Sequence, residues 1–261
     1  MGLENHDLQR YSRQMMLRGF GLEGQRKLLS AKVAIAGIGG LGSPATYYLA
    51  AAGVGYLRLI DCDVVEISNL NRQILHWTND IHRPKVESAA MKISLLNPNV
   101  RVDPINEKIT KENVEDLMKG IDVIVDGQDN LPTRMIINEF AVKNRVPYIY
   151  AAVYGMEGYM MTIIPNQGPC LKCVYPGEPP QSEKFPVLGT TPGVMGCLEA
   201  TEAIKIITGV GRPALGRLLI YDGVDMTFQQ ISIKRNSNCP VCGSKSRLPS
   251  VTRSNTKFTI I

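Results

Sequence analysis

The chain has 261 residues, 44% of them hydrophobic and 20% charged, and 29 Lys and Arg against 24 Asp and Glu give a net charge of +5. This composition excludes disordered and fibrous classes and is ordinary for a soluble globular protein. The mild, dispersed charge is not that of a nucleic-acid-binding surface. No apolar run approaches the ~18 residues of a membrane span, and the polar start lacks a signal peptide, so we expect no membrane partner and a cytoplasmic location.

Apolar strands alternate with helical stretches over the first 152 residues. The alternation predicts an α/β fold, a Rossmann-like and mostly parallel sheet with helices on both faces. The predicted strands are 32–36, 56–60, 100–104, 121–125 and 148–152, and the helices between them are 43–52, 85–96, 111–119 and 132–144.

The pattern changes after this point. A strand at 159–164 leads into a loop rich in Pro and Gly at 165–193, and an antiparallel C-terminal extension follows. We expect one domain over 1–247, with an N-terminal helical arm over 1–30 and a flexible tail over 248–261. The extension is predicted to hold a helix at 194–208 and strands at 218–221 and 228–234.

A glycine-rich turn joins the first predicted strand to the helix that follows. Glycines let the backbone approach a phosphate closely, the start of a helix favours negative charge, and Asp61 at the end of the second strand can accept from ribose hydroxyls. The pattern indicates a nucleotide, with a tight strand–helix turn that needs small residues as the alternative. NAD, FAD and ATP all fit it. The glycines are Gly37, Gly39, Gly40 and Gly42.

Polar and basic residues follow the second strand, namely Asp63, Asn69, Arg72, Gln73 and, at the start of a predicted helix, Lys85. A dinucleotide dehydrogenase does not need such cations here. A triphosphate does, because Arg supplies forked donors and Lys supplies a point charge. The segment therefore favours ATP, and a solvated charged loop is the alternative.

A third polar group, residues 126–130, lies at the carboxyl end of the fourth predicted strand. Ligands of open α/β sheets bind at that edge, and a carboxylate opposite basic residues suits Mg²⁺ held together with phosphates. Asp129 is the candidate ligand. The alternative is a turn in which Asp129 or Asn130 caps the next helix, and capping by Asn130 leaves Asp129 available to a metal.

Two C-x₂-C pairs, separated by residues 174–238, supply four thiolates in a chain expected in a reducing compartment. Four thiolates form a closed tetrahedral Zn²⁺ site with no open position, so we interpret the site as structural. It would fasten the end of the chain to its middle. A redox dithiol is the alternative. The predicted ligands are Cys170, Cys173, Cys239 and Cys242.

Taken together, these motifs resemble the ThiF/MoeB/HesA family, prokaryotic relatives of the ubiquitin-activating (E1) enzymes. The resemblance runs from Tyr11 to Gly243 and rests on the joint order and spacing of the motifs. It implies an ATP- and Mg²⁺-dependent adenylyltransferase that releases pyrophosphate. The substrate it implies is the C-terminal glycine carboxylate of a small ubiquitin-like (β-grasp) sulfur-carrier protein ending in Gly-Gly. The resemblance also implies a homodimer.

The family's pattern assigns roles to individual residues. Asp61 would hold the ribose, and Asp129 would bind Mg²⁺. Arg13, by itself a surface arginine, would reach the triphosphate from the partner subunit as an arginine finger. Asn69, Arg72 and Lys85 would contact the phosphates, and Gln73 would line the site. The predicted nucleotide-binding set is Gly37, Gly39, Gly40, Gly42, Asp61, Asp63, Asn69, Arg72, Gln73, Lys85, Asp129 and Asn130, and the predicted catalytic set is Arg13, Arg72, Lys85 and Asp129.

The sequence departs from many relatives in one respect. These relatives carry a cysteine before the last helix that can bond to the partner's terminus, whereas residues 174–196 contain none and Ser182 lies near its place. A serine hydroxyl is protonated at neutral pH and no nearby His activates it. Cys62 and Cys197 are expected to be packing residues. We therefore predict an enzyme that stops at the adenylate.

Three other functions stay open at this stage. An E1-like enzyme could adenylate a peptide or a small biosynthetic acid, and the missing cysteine favours this alternative. An NAD-dependent oxidoreductase rests on the glycine motif alone, against Arg72, Lys85 and Asp129. A non-catalytic scaffold that carries zinc is the third.

Overall fold

The structure is a computed structural model that describes residues 5–177 and 185–243. Strands are found at all eight predicted places, most with bounds that shift by one to three residues. Their bounds are β1 Lys32–Ala36, β2 Tyr56–Ile60, β3 Arg101–Ile105, β4 Val123–Asp126, β5 Tyr148–Tyr154, β6 Glu157–Ile163, β7 Arg217–Asp222 and β8 Thr227–Ser232.

The strands form one sheet in the order β3-β2-β1-β4-β5-β6-β7-β8. The first five strands in chain order pair in parallel, and β6, β7 and β8 are antiparallel to their neighbours. This arrangement confirms the predicted mostly parallel sheet with an antiparallel C-terminal extension. The order reverses between β1 and β4, and ligands of such sheets bind outside the carboxyl ends of the strands at this switch point.

Helices cover the sheet. The predicted helix 111–119 is largely wrong, because only four of its residues are α-helical and the side chain of Asn113 accepts the Thr110 N–H at 2.8 Å, which favours a turn before them. The helix predicted at 194–208 begins earlier, at Thr190, with Pro192 tolerated in its first turn. The bounds are α1 Asn5–Arg10, α2 Ser12–Met15, α3 Gly21–Ser30, α4 Gly42–Ala52, α5 Lys85–Leu96, α6 Val114–Leu117, α7 Leu131–Asn144, α8 Leu171–Val174 and α9 Thr190–Thr208.

The sheet separates two hydrophobic cores. Val33 and Ile35 of β1 face the core beneath α3, α4, α5 and α9, while Ala34 and Ala36 face the core beneath α6 and α7. Successive side chains of a strand point to opposite faces, so a strand buried on both sides is apolar throughout. Packing in both cores holds the ends of β1 and β4 in place, and the turns that follow these strands start from there. Among the described residues, no helix combines the length and the apolar character needed to cross a bilayer.

Candidate functional site

The glycine turn lies at the switch point, between the end of β1 and the start of α4. Gly37 has a φ of +101°, and a Cβ atom there would lie 2.5 Å from the carbonyl oxygen of Gly127, which follows β4. A Cβ atom on Gly42 would lie 2.0 Å from the carbonyl oxygen of Gly37. Both positions therefore require glycine. The turn presents main chain at the sheet edge, as a phosphate cradle requires.

Asp61 supports this turn from the end of β2. Its carboxylate accepts the N–H of Ile38 at 2.7 Å and the N–H of Asp63 at 2.8 Å. Burial raises the pKa of Asp61, and the nearby charge of Lys85 opposes that rise. The carboxylate keeps further lone pairs for hydroxyl donors.

Lys85 is the cation closest to this carboxylate pair. Its Nζ donates to Asp63 Oδ2 at 2.8 Å, and its side chain is 6% exposed although it carries a charge. Asp63 itself is 64% exposed. A buried ammonium held at the rim by a solvated carboxylate is placed to receive an anion.

Arg72 and Gln73 pack against the glycine turn. A Cβ atom on Gly40 would lie 3.6 Å from Arg72 Cγ, and one on Gly39 would lie 3.7 Å from Gln73 Nε2. Among the described residues, the Arg72 guanidinium is held only by the carbonyl of Ser68 and the side chain of Asn71, both on its own loop. Gln73 Oε1 is buried and finds no hydrogen-bond partner in the part of the chain that the structure describes.

Asn69 is buried, and its side-chain oxygen accepts the N–H of Glu66 at 3.0 Å. This bond closes the short 3₁₀ turn Ile67–Asn69 on which the Arg72 loop stands. The structure therefore gives Asn69 a visible role in shaping the loop beside the predicted phosphate contact.

The loop after β4 contains two carboxylates in different states. Asp126 is fully buried and accepts from the Gln128 N–H, Arg134 Nε and the Tyr148 hydroxyl. Asp129 is exposed, and among the described residues its one hydrogen bond is to Asn130 Nδ2 at 3.3 Å. Asp129 therefore keeps the lone pairs that a cation needs, and Asp126 does not.

Asn130 caps α7, with its side-chain oxygen accepting the Thr133 N–H at 2.9 Å. The predicted capping alternative thus holds for Asn130 and leaves Asp129 uncommitted. A cavity of about 580 Å³ opens beside both residues, and Lys108 and Lys111 line its other side. No contact joins Asp129 to Arg72 or Lys85 within the described residues.

Arg13 lies apart from the turn, on α2. It is exposed, and in the described part of the chain its side chain makes no hydrogen bond or ion pair. The neighbouring Met16 and Leu17 are 77% and 58% exposed. The described part of the chain therefore leaves the Arg13 guanidinium free to bind a group outside it.

The start of α9 closes one side of the crevice. A Cβ atom on Gly40 would lie 3.1 Å from the ring of Pro192, and a Cβ atom on Gly189 would lie 2.1 Å from the carbonyl oxygen of Asn71. No sequence pattern indicates that the 165–193 loop and the 69–73 run would meet. Ser182 lies outside the described residues.

The four predicted cysteine ligands meet, with Sγ atoms all within 4.8 Å of one another. Cys170 and Cys239 are 3.7 Å apart through Sγ, and Cys173 and Cys242 are 3.4 Å apart. Burial and the neighbouring thiols raise the pKa of Cys170. Four sulfur donors at this spacing fit a tetrahedral metal ion such as zinc, whose charge stabilises thiolates.

Two expectations for the other thiols differ in outcome. Cys62 is exposed at the sheet edge, so the expectation that it packs in the interior is wrong. It follows β2 where the chain leaves the core. Cys197 is half-buried on α9, and burial raises its pKa. A thiol so held is a poor nucleophile at neutral pH.

Sequence reasoning missed several buried polar residues around the crevice. One of them is His76, which is 3% exposed and lies beneath the glycine turn. Arg134, Lys92 and Glu199 are also buried. The sequence around each of these residues is ordinary for a helix or a loop. Their burial becomes apparent only from the way the helices and strands pack together.

A sequence profile described as the ThiF family matches residues 11–241, most of the chain. The chain belongs to the ThiF family. The resemblance found in the sequence is thereby confirmed.

Relatives of known name agree with this membership. The chain is 44% identical over 248 residues to the SAMP-activating enzyme E1 of Haloferax volcanii, covering 93% of this chain and 92% of that protein. It is 41% identical over 252 residues to the sulfur carrier protein ThiS adenylyltransferase of Escherichia coli, covering 95% and 100%. The prediction that this chain is an E1-like adenylyltransferase is confirmed by these relatives.

Solved structures agree on the fold. The crystal structure of E. coli MccB with MccA-N7isoASN superposes with a TM-score of 0.83 at 24% identity. The match covers 93% of this chain and 76% of that one. At this identity the likeness extends to the architecture only.

Proposed function

We propose that this ThiF-family enzyme activates the C-terminal glycine carboxylate of a small ubiquitin-like sulfur-carrier protein. A carboxylate oxygen attacks the α-phosphorus of ATP, the bond from that phosphorus to the bridging oxygen breaks, and pyrophosphate leaves with the electron pair. The product is an acyl-adenylate. The observation that carries the proposal is the convergence of Asp61, Arg72 and Lys85 around the bare glycine turn.

The protein's task in this reaction is alignment and charge screening, because both reactants are anions. The main chain of 38–42 receives phosphate oxygens, and Arg72 and Lys85 neutralise their charge. Asp61 accepts from the ribose hydroxyls, and Gln73 offers its amide beside Gly39. The rim position of Lys85 supports its role, since it is already desolvated before the nucleotide arrives.

Asp129 is the residue we assign to Mg²⁺. It is exposed at the strand edge with free lone pairs, whereas Asp126 already accepts hydrogen bonds from three donors within the protein. Mg²⁺ bound with the triphosphate supplies charge neutralisation. We assign Zn²⁺ to the four-cysteine cluster as a structural ion, since four thiolates leave no position for a substrate.

We also infer a homodimer in which Arg13 serves the partner's triphosphate. The exposed Met16 and Leu17 beside it form an apolar surface of the kind that subunit interfaces cover. The thiolate site suits a reducing cytoplasm.

The reaction is proposed to stop at the adenylate, with no thioester to the enzyme. Residues 174–196 lack cysteine, and Cys197 has the raised pKa of a half-buried thiol. Sulfur or another nucleophile then attacks the adenylate directly. A protein adduct that thiols cleave, and that vanishes in Cys197→Ala, would contradict this part.

The test is exchange of labelled pyrophosphate into ATP. Purified carrier proteins ending in Gly-Gly are supplied one at a time, each with a matched carrier whose last glycine is deleted. We expect exchange with an intact carrier and none with its truncated partner. Exchange with a peptide or a small acid and with no carrier would favour the alternative substrate class. NAD binding without ATP binding would reject the proposal.

A further inference from the structure

Beneath the glycine turn lies a buried polar cluster that the proposed reaction does not use. Asp80, Lys92 and His76 are each 3% exposed, and Ser88 is fully buried. Burying this many polar groups costs stability unless each of them is hydrogen-bonded, and such a cluster is therefore a candidate for a functional role.

The members form one continuous hydrogen-bonded relay. Lys92 pairs with Asp80, and its Nζ donates to Ser88 Oγ at 2.8 Å. Ser88 Oγ lies 2.9 Å from His76 Nδ1, and His76 Nε2 lies 2.9 Å from the carbonyl oxygen of Ile38. The relay thus runs from α5 to the centre of the glycine turn.

The chemistry of the two ends sets the direction of the bonds that they make. An ammonium can only donate and a carbonyl can only accept, so Ser88 accepts from Lys92 and His76 donates its Nε2–H to Ile38. In a neutral ring Nδ1 is then an acceptor, and Ser88 donates to it. The relay favours this one neutral tautomer of His76.

This bond orients a particular peptide group. The C=O of Ile38 and the N–H of Gly39 belong to one trans peptide unit and point in opposite directions. With the carbonyl held by His76, the Gly39 N–H is turned away from the core. Gly39 is half-exposed, and within the described residues its N–H meets no protein acceptor. On the other flank, Asp61 holds the N–H of Ile38.

We propose that His76 is a positioning residue for the nucleotide, which keeps the Gly39 N–H aimed at a phosphate oxygen through its bond to Ile38. The inference rests on the proposed ATP-dependent function. Ser88, Lys92 and Asp80 act through His76 by locking its tautomer.

Electrostatics agree with a neutral imidazole. Burial and the charges of Lys85 and Lys92 lower the pKa of His76 to about 4, against the raising effects of the Ile38 carbonyl and Asp80. The ring therefore stays neutral at physiological pH, and its hydrogen-bond pattern does not change there.

The first test compares two substitutions of His76 in the full chain. His76→Gln keeps a side-chain N–H that can reach Ile38. His76→Leu removes this donor and puts an apolar side chain of similar volume in its place. We expect His76→Leu to raise the KM for ATP roughly tenfold, in line with the loss of a buried hydrogen bond, and to leave the KM for the carrier unchanged. His76→Gln should stay within about threefold of wild type. His82→Asn, at an exposed position with a φ of 73°, is the control.

A purely structural role would lower the melting temperature and change both KM values together. Equal KM values for ATP in His76→Leu and wild type would overturn the proposal. If the wild-type enzyme itself shows no exchange, the proposed function fails, and that result is distinct from a failure of the relay.

The second test needs no variant to be active. Histidine labelled with ¹⁵N in wild-type protein reports the tautomer of each ring, and the absence of one signal in His76→Gln assigns it among the three histidines. We expect His76 to be in the Nε2–H form, without titration, from about pH 6 to pH 8. An Nδ1–H form, or titration near the ordinary histidine pKa, would overturn the relay even if His76→Leu fails to fold.

Discussion

The parallel half of the sheet, β1 to β5, and the antiparallel extension, β6 to β8, bury their side chains differently. In β4 every residue is buried, whereas every residue of β8 is exposed. Helices cover both faces of the first region, so its core holds it together and its strand ends are free to carry a site. The extension ends in the edge strand β8, and the cysteine cluster joins the segment after β6 to the segment after β8.

The comparison indicates that the two regions have different roles. The proposed chemistry lies with main chain and cations at the edge of the parallel half. The proposed metal ion lies between the segments that follow β6 and β8, in the region whose last strand is exposed. α9 joins the two, since it packs on β4, β5 and β6.

The largest expected effect lies in the parallel half. Lys85→Ala removes the buried cation at the rim and should lower pyrophosphate exchange by roughly 10²- to 10³-fold, the usual cost of losing one such electrostatic group. The measurement is the exchange rate at saturating carrier. Lys143→Ala, which breaks an exposed pair with Glu115, is the matched control and should retain wild-type activity. Equal rates in both variants would break the assignment.

Arg13→Ala tests whether the parallel half is complete in one subunit. We expect activity to fall by roughly 10²-fold, and a mixture with Lys85→Ala subunits to recover roughly a quarter of the wild-type rate, since half the dimers then contain one complete site. The measurement is exchange against mixing ratio. Recovery requires subunits to re-pair, which mass analysis of the mixture checks. No recovery in verified heterodimers would place Arg13 outside the partner's site.

Metal removal tests the extension. A chelator strong enough to strip zinc, or Cys239→Ser, should lower the melting temperature by roughly 10 °C, which corresponds to about 3 kcal/mol for a chain of this size. Hydrogen exchange should rise in β7 and β8 before β1 and β4. Cys197→Ser, a thiol outside the cluster, serves as control. Uniform loosening of all strands would contradict the division between the regions.

Glu199 on α9 gives the smallest effect. Burial first, and then the charge of Asp126, raise the pKa of its carboxyl well above the usual value, against the influence of Arg134. The folded state keeps the proton while the unfolded state releases it, so stability is full below the unfolded pKa and falls as pH rises towards the folded one. Glu199→Gln should therefore be more stable than wild type at pH 8 and about equal to it at pH 4.

Urea denaturation at the two pH values measures this difference. Glu139→Gln, on the exposed side of α7, should show no pH-dependent gain. If the difference in unfolding free energy between Glu199→Gln and wild type were the same at both pH values, Glu199 would be ionised in the native state.

Sequence patterns predicted β1, β2 and β4 closely because each is a short, mainly apolar run that leads into a glycine or an aspartate. β1 and β2 have the predicted bounds. The cysteine cluster followed from spacing alone, since four thiols in two pairs have few other uses. The placement of Lys85 at a helix start was also correct.

What the sequence did not reveal depends on contacts between distant segments. His76 and Ser88 become partners only when α5 packs under the glycine turn. Gly189 meets Asn71 across 118 positions of chain, and no local periodicity encodes that approach. The 111–119 helix failed for the opposite reason, because a local side-chain bond at Asn113 overrides its helical pattern.

The contact between Gly37 and Gly127 has a consequence for how such an enzyme can diverge. Two strands end there with nothing but backbone between them, so the floor of the crevice offers no side chain for mutation to alter. We expect changes in which acid the enzyme accepts to arise in the walls of the crevice. These walls are formed by Arg72, Pro192 and the loop after β4. A redesigned substrate range is best sought there, with the floor left untouched.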